Sequence, residues 1–98
     1  MNASLHTELW TSFASLIRSY AAAHGLNSSH QAVVEVGRDK ILLRVGTRWL
    51  LFTPSEITED TNRTQPFHLN EDGTVTVGDI TEEMDMAAER FAREMMTP

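Results

Sequence analysis

Residues 31–53 read QAVVEVGRDKILLRVGTRWLLFT, and they carry the strongest evidence for the fold class. Glycine-containing turns at 37–40 and 46–47 separate three short runs that are rich in β-branched and aromatic residues: 31–36, 41–45 and 48–53. Runs of this length and composition, joined by such turns, are typical of strands in consecutive hairpins. The sequence therefore predicts a three-stranded antiparallel meander.

Amphipathic helices are predicted at both ends of the chain. The first has a single apolar stripe, with Ser4 expected as its N-cap and Gly25 as its end: Leu5, Leu9, Phe13, Leu16, Ile17 and Tyr20. The second follows a cap at Asp79 or Thr81 and again repeats at helical spacing: Met84, Ala87, Ala88, Phe91, Ala92 and Met95. Each helix therefore has one face suited to packing on a sheet.

Between the meander and the second helix, the sequence predicts a polar loop at 55–65 and a second hairpin. The hairpin strands are 66–69 and 74–77, and the turn is Asn70-Glu71-Asp72-Gly73. The whole chain, 1–98, is then predicted to be a single α+β domain. Its fold is an antiparallel five-stranded meander-type sheet flanked by an N-terminal and a C-terminal helix.

Composition narrows the functional classes. The 98 residues contain no cysteine and carry a net charge of −6, which excludes disulfide and thiolate chemistry and argues against a nucleic acid as partner. The charge is uneven, since residues 1–53 sum to +2 and residues 54–98 to −8. No apolar run is long enough for a membrane span or a secretion signal, so we expect a cytoplasmic protein without a membrane partner.

Motifs for catalysis or metal binding were not found. The four histidines are not spaced to share a metal ion: His6, His24, His30 and His68. The carboxylates of the central loops are expected in polar surroundings, where their pKa values would not be raised as a general acid requires. We therefore predict no catalytic residue, cofactor or metal ligand, and favour a non-enzymatic role while leaving the question of an enzyme open.

The third predicted strand is apolar on both faces, which bears most directly on function. Leu50 and Phe52 point to one face, and Trp49 and Leu51 point to the other. Two helices on one face would leave the second face uncovered, whereas helices split between the faces would cover both. Trp10, Met86 and Met96 are expected to add exposed apolar surface.

Our leading hypothesis is a protein-interaction module, chaperone- or adaptor-like, that forms a homodimer and possibly binds another protein. Its predicted interface residues are Leu42, Arg44, Trp49 and Leu51. The order of elements resembles that of the small acidic secretion chaperones, whose dimers hold partner segments. This resemblance implies a middle helix within 55–65.

The alternative hypothesis is a small-ligand-binding or enzymatic domain. Its pocket would lie between the 55–65 loop and the sheet, lined by Arg48, Trp49 and His68. A separate basic strip at the first hairpin, formed by Arg38, Lys40, Arg44 and Arg48, could hold an acidic partner segment. Protection of the sheet edge against aggregation is the interpretation that we favour for this strip.

Overall fold

A computed structural model describes residues 1–26 and 31–97, and it has one sheet with a helix at each end of the chain. The elements in order are α1 (Ala3–Gly25), β1 (Ala32–Val36), β2 (Ile41–Val45), β3 (Arg48–Phe52), β4 (Glu56–Glu59), β5 (Thr64–Leu69), β6 (Thr74–Val77), β7 (Ile80–Glu83) and α2 (Met84–Met96). Each strand pairs antiparallel with the next, so the spatial order equals the chain order. The predicted α+β class is confirmed, but the predicted count of five strands is wrong, because the sheet has seven.

The two strands that the sequence did not predict are β4 and β7. In β4 a single large apolar residue, Ile57, lies opposite Phe52 of β3 and is 1% exposed. The predicted loop at 55–65 is therefore wrong, and the middle helix of the secretion chaperones is absent there. In β7 only Ile80 is large and apolar, and it is exposed. Both strands form by pairing with a neighbour, with little apolar patterning of their own.

The helix ends also differ from the prediction. The N-cap of α1 is Asn2, whose Oδ1 accepts a hydrogen bond from the backbone N–H of Leu5 at 2.7 Å, and Ser4 lies inside the helix. The last helix begins only at Met84, because 80–83 form β7, so neither Asp79 nor Thr81 caps it. The predicted connector at 27–30 lies outside the described residues.

Both helices pack on the same face of the sheet. The ring of Phe52 lies 5.4 Å from that of Phe13 in α1 and 5.1 Å from that of Phe91 in α2, measured between centroids. The buried residues of the strands all belong to this face: Ile41, Leu43, Val45, Leu50, Phe52, Ile57, Phe67, Leu69, Val75 and Val77. The arrangement with one helix on each face is therefore wrong, and the other face of the sheet carries no helix of the described chain.

Two of the three apolar residues predicted to be exposed are buried. Trp10 is 3% exposed, and its Nε1–H donates a hydrogen bond to the carbonyl oxygen of Gly37 at 2.9 Å, which fixes α1 to the β1–β2 turn. Met96 is also buried, within reach of Gly25 of α1. Met86 is exposed as predicted. Neither α1 nor α2 is long and apolar enough to cross a membrane.

Candidate functional site

The helix-free side of the sheet is called the open face here, and its apolar residues lie together on β1, β2 and β3. Leu42 lies opposite Leu51, and Arg44 lies opposite Trp49, in adjacent rows of the β2–β3 pair. Leu42, Trp49 and Leu51 are half-buried, because only their neighbours in the sheet shield them. With Val33 of β1, these residues are called the open-face patch. The structure thus brings together all four residues of the predicted interface.

A shallow groove of about 630 Å³ lies on the open-face patch. Its floor is formed by Leu42, Trp49 and Leu51, and its rim includes Glu35, Lys40 and Arg44. The Nη2 atom of Arg44 is 3.9 Å from Oε1 of Glu35, and both side chains are largely exposed, so this ion pair contributes little to stability. The groove is therefore an apolar surface bordered by charges of both signs. Lys40 was predicted only as part of the basic strip. Glu35 was not predicted as a site residue, although strand alternation already places it on this face.

The remainder of the open face is polar, which confines the patch to one end of the sheet. Asn70 donates hydrogen bonds from Nδ2 to the hydroxyl oxygens of Thr74, at 3.0 Å, and Thr76, at 2.9 Å. Thr76 and Thr81 are joined through their hydroxyl groups at 2.9 Å. Because these side chains satisfy one another, the β6–β7 end has little need of an outside partner.

Arg48 and Trp49 lie on opposite faces of β3. On the helix side, Nη1 of Arg48 donates to the carbonyl oxygens of Glu94 (3.4 Å), Met95 (3.3 Å) and Thr97 (2.9 Å). These carbonyls end α2, so the guanidinium group caps the helix where its dipole favours a cation. The predicted basic strip is accordingly divided, with Arg48 on one side of the sheet and Arg44 on the other.

The structure does not assemble the alternative pocket of Arg48, Trp49 and His68. Trp49 is on the open face and bonds through its backbone oxygen to the N–H of Asp60, whereas His68 lies near the opposite end of β5, across from Thr76. Residues 56–59 belong to the sheet and form no loop above it. The three side chains therefore have no common cavity.

The histidines that the structure describes do not lie close to one another. The ring of His6 stacks on Trp10 at 5.9 Å, Nε2 of His24 is 3.3 Å from Oε1 of Glu89 in α2, and His68 is exposed. His30 lies outside the described residues. In the part of the chain that the structure describes, no three histidine or acidic side chains are grouped as a metal site would need.

Among residues 1–26 and 31–97, two ionisable groups have shifted pKa values, and both shifts lead away from neutral pH. The pKa of Tyr20 is raised, mainly because its hydroxyl donates a hydrogen bond to Oδ1 of Asp85 at 2.8 Å. The pKa of Asp72 is lowered, because the hydroxyl and backbone N–H of Thr74 both donate to its Oδ1 atom. The hydrogen bonds that cause these shifts join α1 to α2 and close the β5–β6 turn. Both pKa shifts are opposite in direction to those that tune a general acid or base.

Comparisons of the chain with models of protein families, with curated proteins and with solved structures found no match.

Proposed function

We propose that this chain is a non-enzymatic protein-interaction module that acts as a homodimer, with the open-face patch of one copy packed on that of another. The observation that carries the proposal is the position of Leu42, Trp49 and Leu51 on the face that neither α1 nor α2 covers. A 98-residue domain has a thin core, so association with a second copy is a ready source of further apolar burial.

The composition of the patch supports a second copy as its occupant. A two-fold contact places the same surface on both sides, so that surface must be self-complementary. An apolar centre whose rim carries one acid, Glu35, and two bases, Lys40 and Arg44, is compatible with this condition, since the acid of each copy can lie against a base of the other copy. Tryptophan and arginine are also enriched at the centres of protein interfaces.

The test is the mass in solution, measured by size-exclusion chromatography with light scattering. The wild type should elute at twice 11.0 kDa or above, and Leu42→Glu or Leu51→Glu should lower the mass by disrupting the contact, because each places two carboxylates in an apolar interface. The matched control is His68→Glu, which adds the same charge at an exposed position on the polar end of the open face.

Circular dichroism spectra of all variants should match the wild type, which excludes unfolding as the cause of a change in mass. The proposal fails if the wild type is a monomer at millimolar concentration. It also fails if Leu51→Glu and His68→Glu have the same effect on the mass.

A further inference from the structure

The free edge of the sheet at β1 presents a regular row of backbone groups to solvent. Among residues 1–26 and 31–97, β1 pairs only with β2. The N–H of Gly37 donates to the carbonyl oxygen of Lys40 at 2.7 Å, which makes these two residues a hydrogen-bonded pair. Hydrogen-bonded and non-hydrogen-bonded pairs alternate along an antiparallel ladder, so the backbone N–H and C=O groups of Val33 and Glu35 bond to β2. The N–H and C=O groups of Ala32, Val34 and Val36 therefore point away from the sheet.

The two edge strands of the sheet differ in how they are protected. At the other edge, β7 carries Glu82 and Glu83 among its four residues, so a second copy pairing there would bring like charges together. The five residues of β1 read AVVEV and include no lysine, no proline and only one charge. Val33 and Val36 are 42% and 39% exposed. An edge strand with these properties is a template for pairing with another strand.

We propose that β1 pairs antiparallel with β1 of a second copy, about a two-fold axis at Val34, so that two seven-stranded sheets become one sheet of 14 strands. In this register Val34 lies opposite Val34 of the second copy, and Ala32 lies opposite its Val36. All three outward N–H groups and all three outward C=O groups of each copy are then bonded. A register centred on Val33 would leave Val36 without a partner, and one centred on Glu35 would leave out Ala32.

The side chains around the edge are compatible with this register. On the helix side, a groove of about 360 Å³ is lined by Ala32 and Val34 of β1, by Leu26 and Gln31, and by Arg18, Ala21, Ala22 and Gly25 of α1. In the paired edge, Val34 and Val36 of the second copy point to the helix side and would enter this groove. On the open face, Glu35 would lie opposite Val33 of the second copy and not opposite its Glu35, so no two like charges face each other.

The distribution of net charge along the chain favours association at the same edge. Residues 1–53, which include β1, sum to +2, whereas residues 54–98 sum to −8. Since each copy carries a net charge of −6, copies that meet at β1 approach through the half of the chain with the least repulsion.

This contact extends the proposed self-association and uses a different surface from the open-face patch. An antiparallel edge contact has its two-fold axis perpendicular to the sheet, and a face contact has its axis parallel to the sheet. A chain that makes both contacts would form a dihedral tetramer, with a mass of four times 11.0 kDa. The edge contact alone would place two open-face patches side by side at the centre of the joined sheet.

Amide hydrogen exchange of the unmodified protein, followed by NMR at low and high concentration, tests the edge contact. The amides of Val33 and Glu35 should be protected at both concentrations, because they bond to β2. Those of Ala32, Val34 and Val36 should exchange quickly in the dilute protein. When about nine-tenths of the chains are paired, these three should exchange about tenfold more slowly, because only the free fraction exchanges.

The same measurement on Leu51→Glu separates this inference from the proposed function. Protection of the three outward amides that rises with concentration in both proteins supports the edge contact, even if the open face plays no part. Rapid exchange of these amides in a wild-type dimer that Leu51→Glu disrupts would overturn the edge contact and leave the proposed function standing. Slow exchange of the three amides in a monomer would also overturn it, since the edge would then be covered within one chain.

A single introduced cysteine gives a second test, which the absence of native cysteine makes clean. In the proposed register the two Cα atoms of residue 34 are about 5.5 Å apart, within the range for a disulfide. Those of residue 33 are about 8 Å apart, which is too far. Mild oxidation should therefore link Val34→Cys into a covalent dimer and leave Val33→Cys largely unlinked. The opposite preference would overturn the register.

Discussion

Replacing Phe52 with alanine should destabilise the monomer several times more than replacing Leu51, its neighbour on the opposite face of β3. The ring of Phe52 is fully buried and lies 5.1 to 5.5 Å from three other phenylalanine rings, those of Phe13, Phe67 and Phe91. Truncation of such a side chain leaves a cavity that no neighbour can fill, and typical costs are about 3 to 5 kcal/mol. The aromatic pairs that would be lost favour the upper part of this range.

Leu51 has a different environment, because neither α1 nor α2 packs over it. Its side chain is half-buried against Leu42 and the other strands of the open face. Truncation to alanine should therefore remove about 1 kcal/mol of hydrophobic burial from the monomer. Since a domain of this size has a total stability of about 5 to 15 kcal/mol, Leu51→Ala should fold normally. Phe52→Leu, which leaves a smaller cavity, is the substitute if Phe52→Ala does not fold.

Urea unfolding followed by far-ultraviolet circular dichroism measures both costs, first at a concentration where light scattering shows a monomer and then at a higher one. The cost of Leu51→Ala should grow with concentration, because the dimer buries Leu51, whereas the cost of Phe52→Ala should not change. If Leu51→Ala costs as much as Phe52→Ala in the dilute monomer, the open face is covered within one chain. The open-face patch would then not be free to form the proposed interface.

Two further predictions concern single contacts. Arg48→Met should lower the free energy of unfolding by about 1 kcal/mol, because it removes the charged cap from three carbonyl oxygens at the end of α2. Urea unfolding should show a smaller loss for Arg44→Met, because the ion pair of Arg44 is exposed. Equal losses for the two variants would contradict the placement of Arg48 and Arg44 on opposite faces of the sheet. Asp72 has a lowered pKa in the folded state, so its contribution to stability is present above the ordinary carboxyl pKa and is lost as the pH falls through the folded value. The difference in free energy of unfolding between the wild type and Asp72→Asn, measured by urea unfolding, should therefore shrink as the pH falls below about 4. A difference that stays constant with pH would contradict this linkage.

The parts of the fold with a strong local period can be predicted from the amino-acid sequence alone. The apolar stripe from Leu5 to Tyr20 specifies α1, and the alternation and turns of 31–53 specify the first three strands. That alternation also places Leu42, Trp49 and Leu51 on one face. Periodicity is a local property. The sequence is therefore sufficient to predict a helix or strand wherever burial of one of its sides sets the spacing of its apolar residues.

Features that depend on a partner elsewhere in the chain could not be predicted and are seen only in the folded protein. In β4, Ile57 alone fills the core while the neighbouring strands supply the hydrogen bonds, so its polar sequence has the appearance of a loop. Trp10 is buried because the Gly37 carbonyl accepts its N–H, a contact across 27 positions of sequence. The common face of the two helices is likewise fixed by the rings that meet at Phe52. None of these outcomes has a local signal, because strand pairing and helix placement are set by contacts between residues that are distant in the sequence.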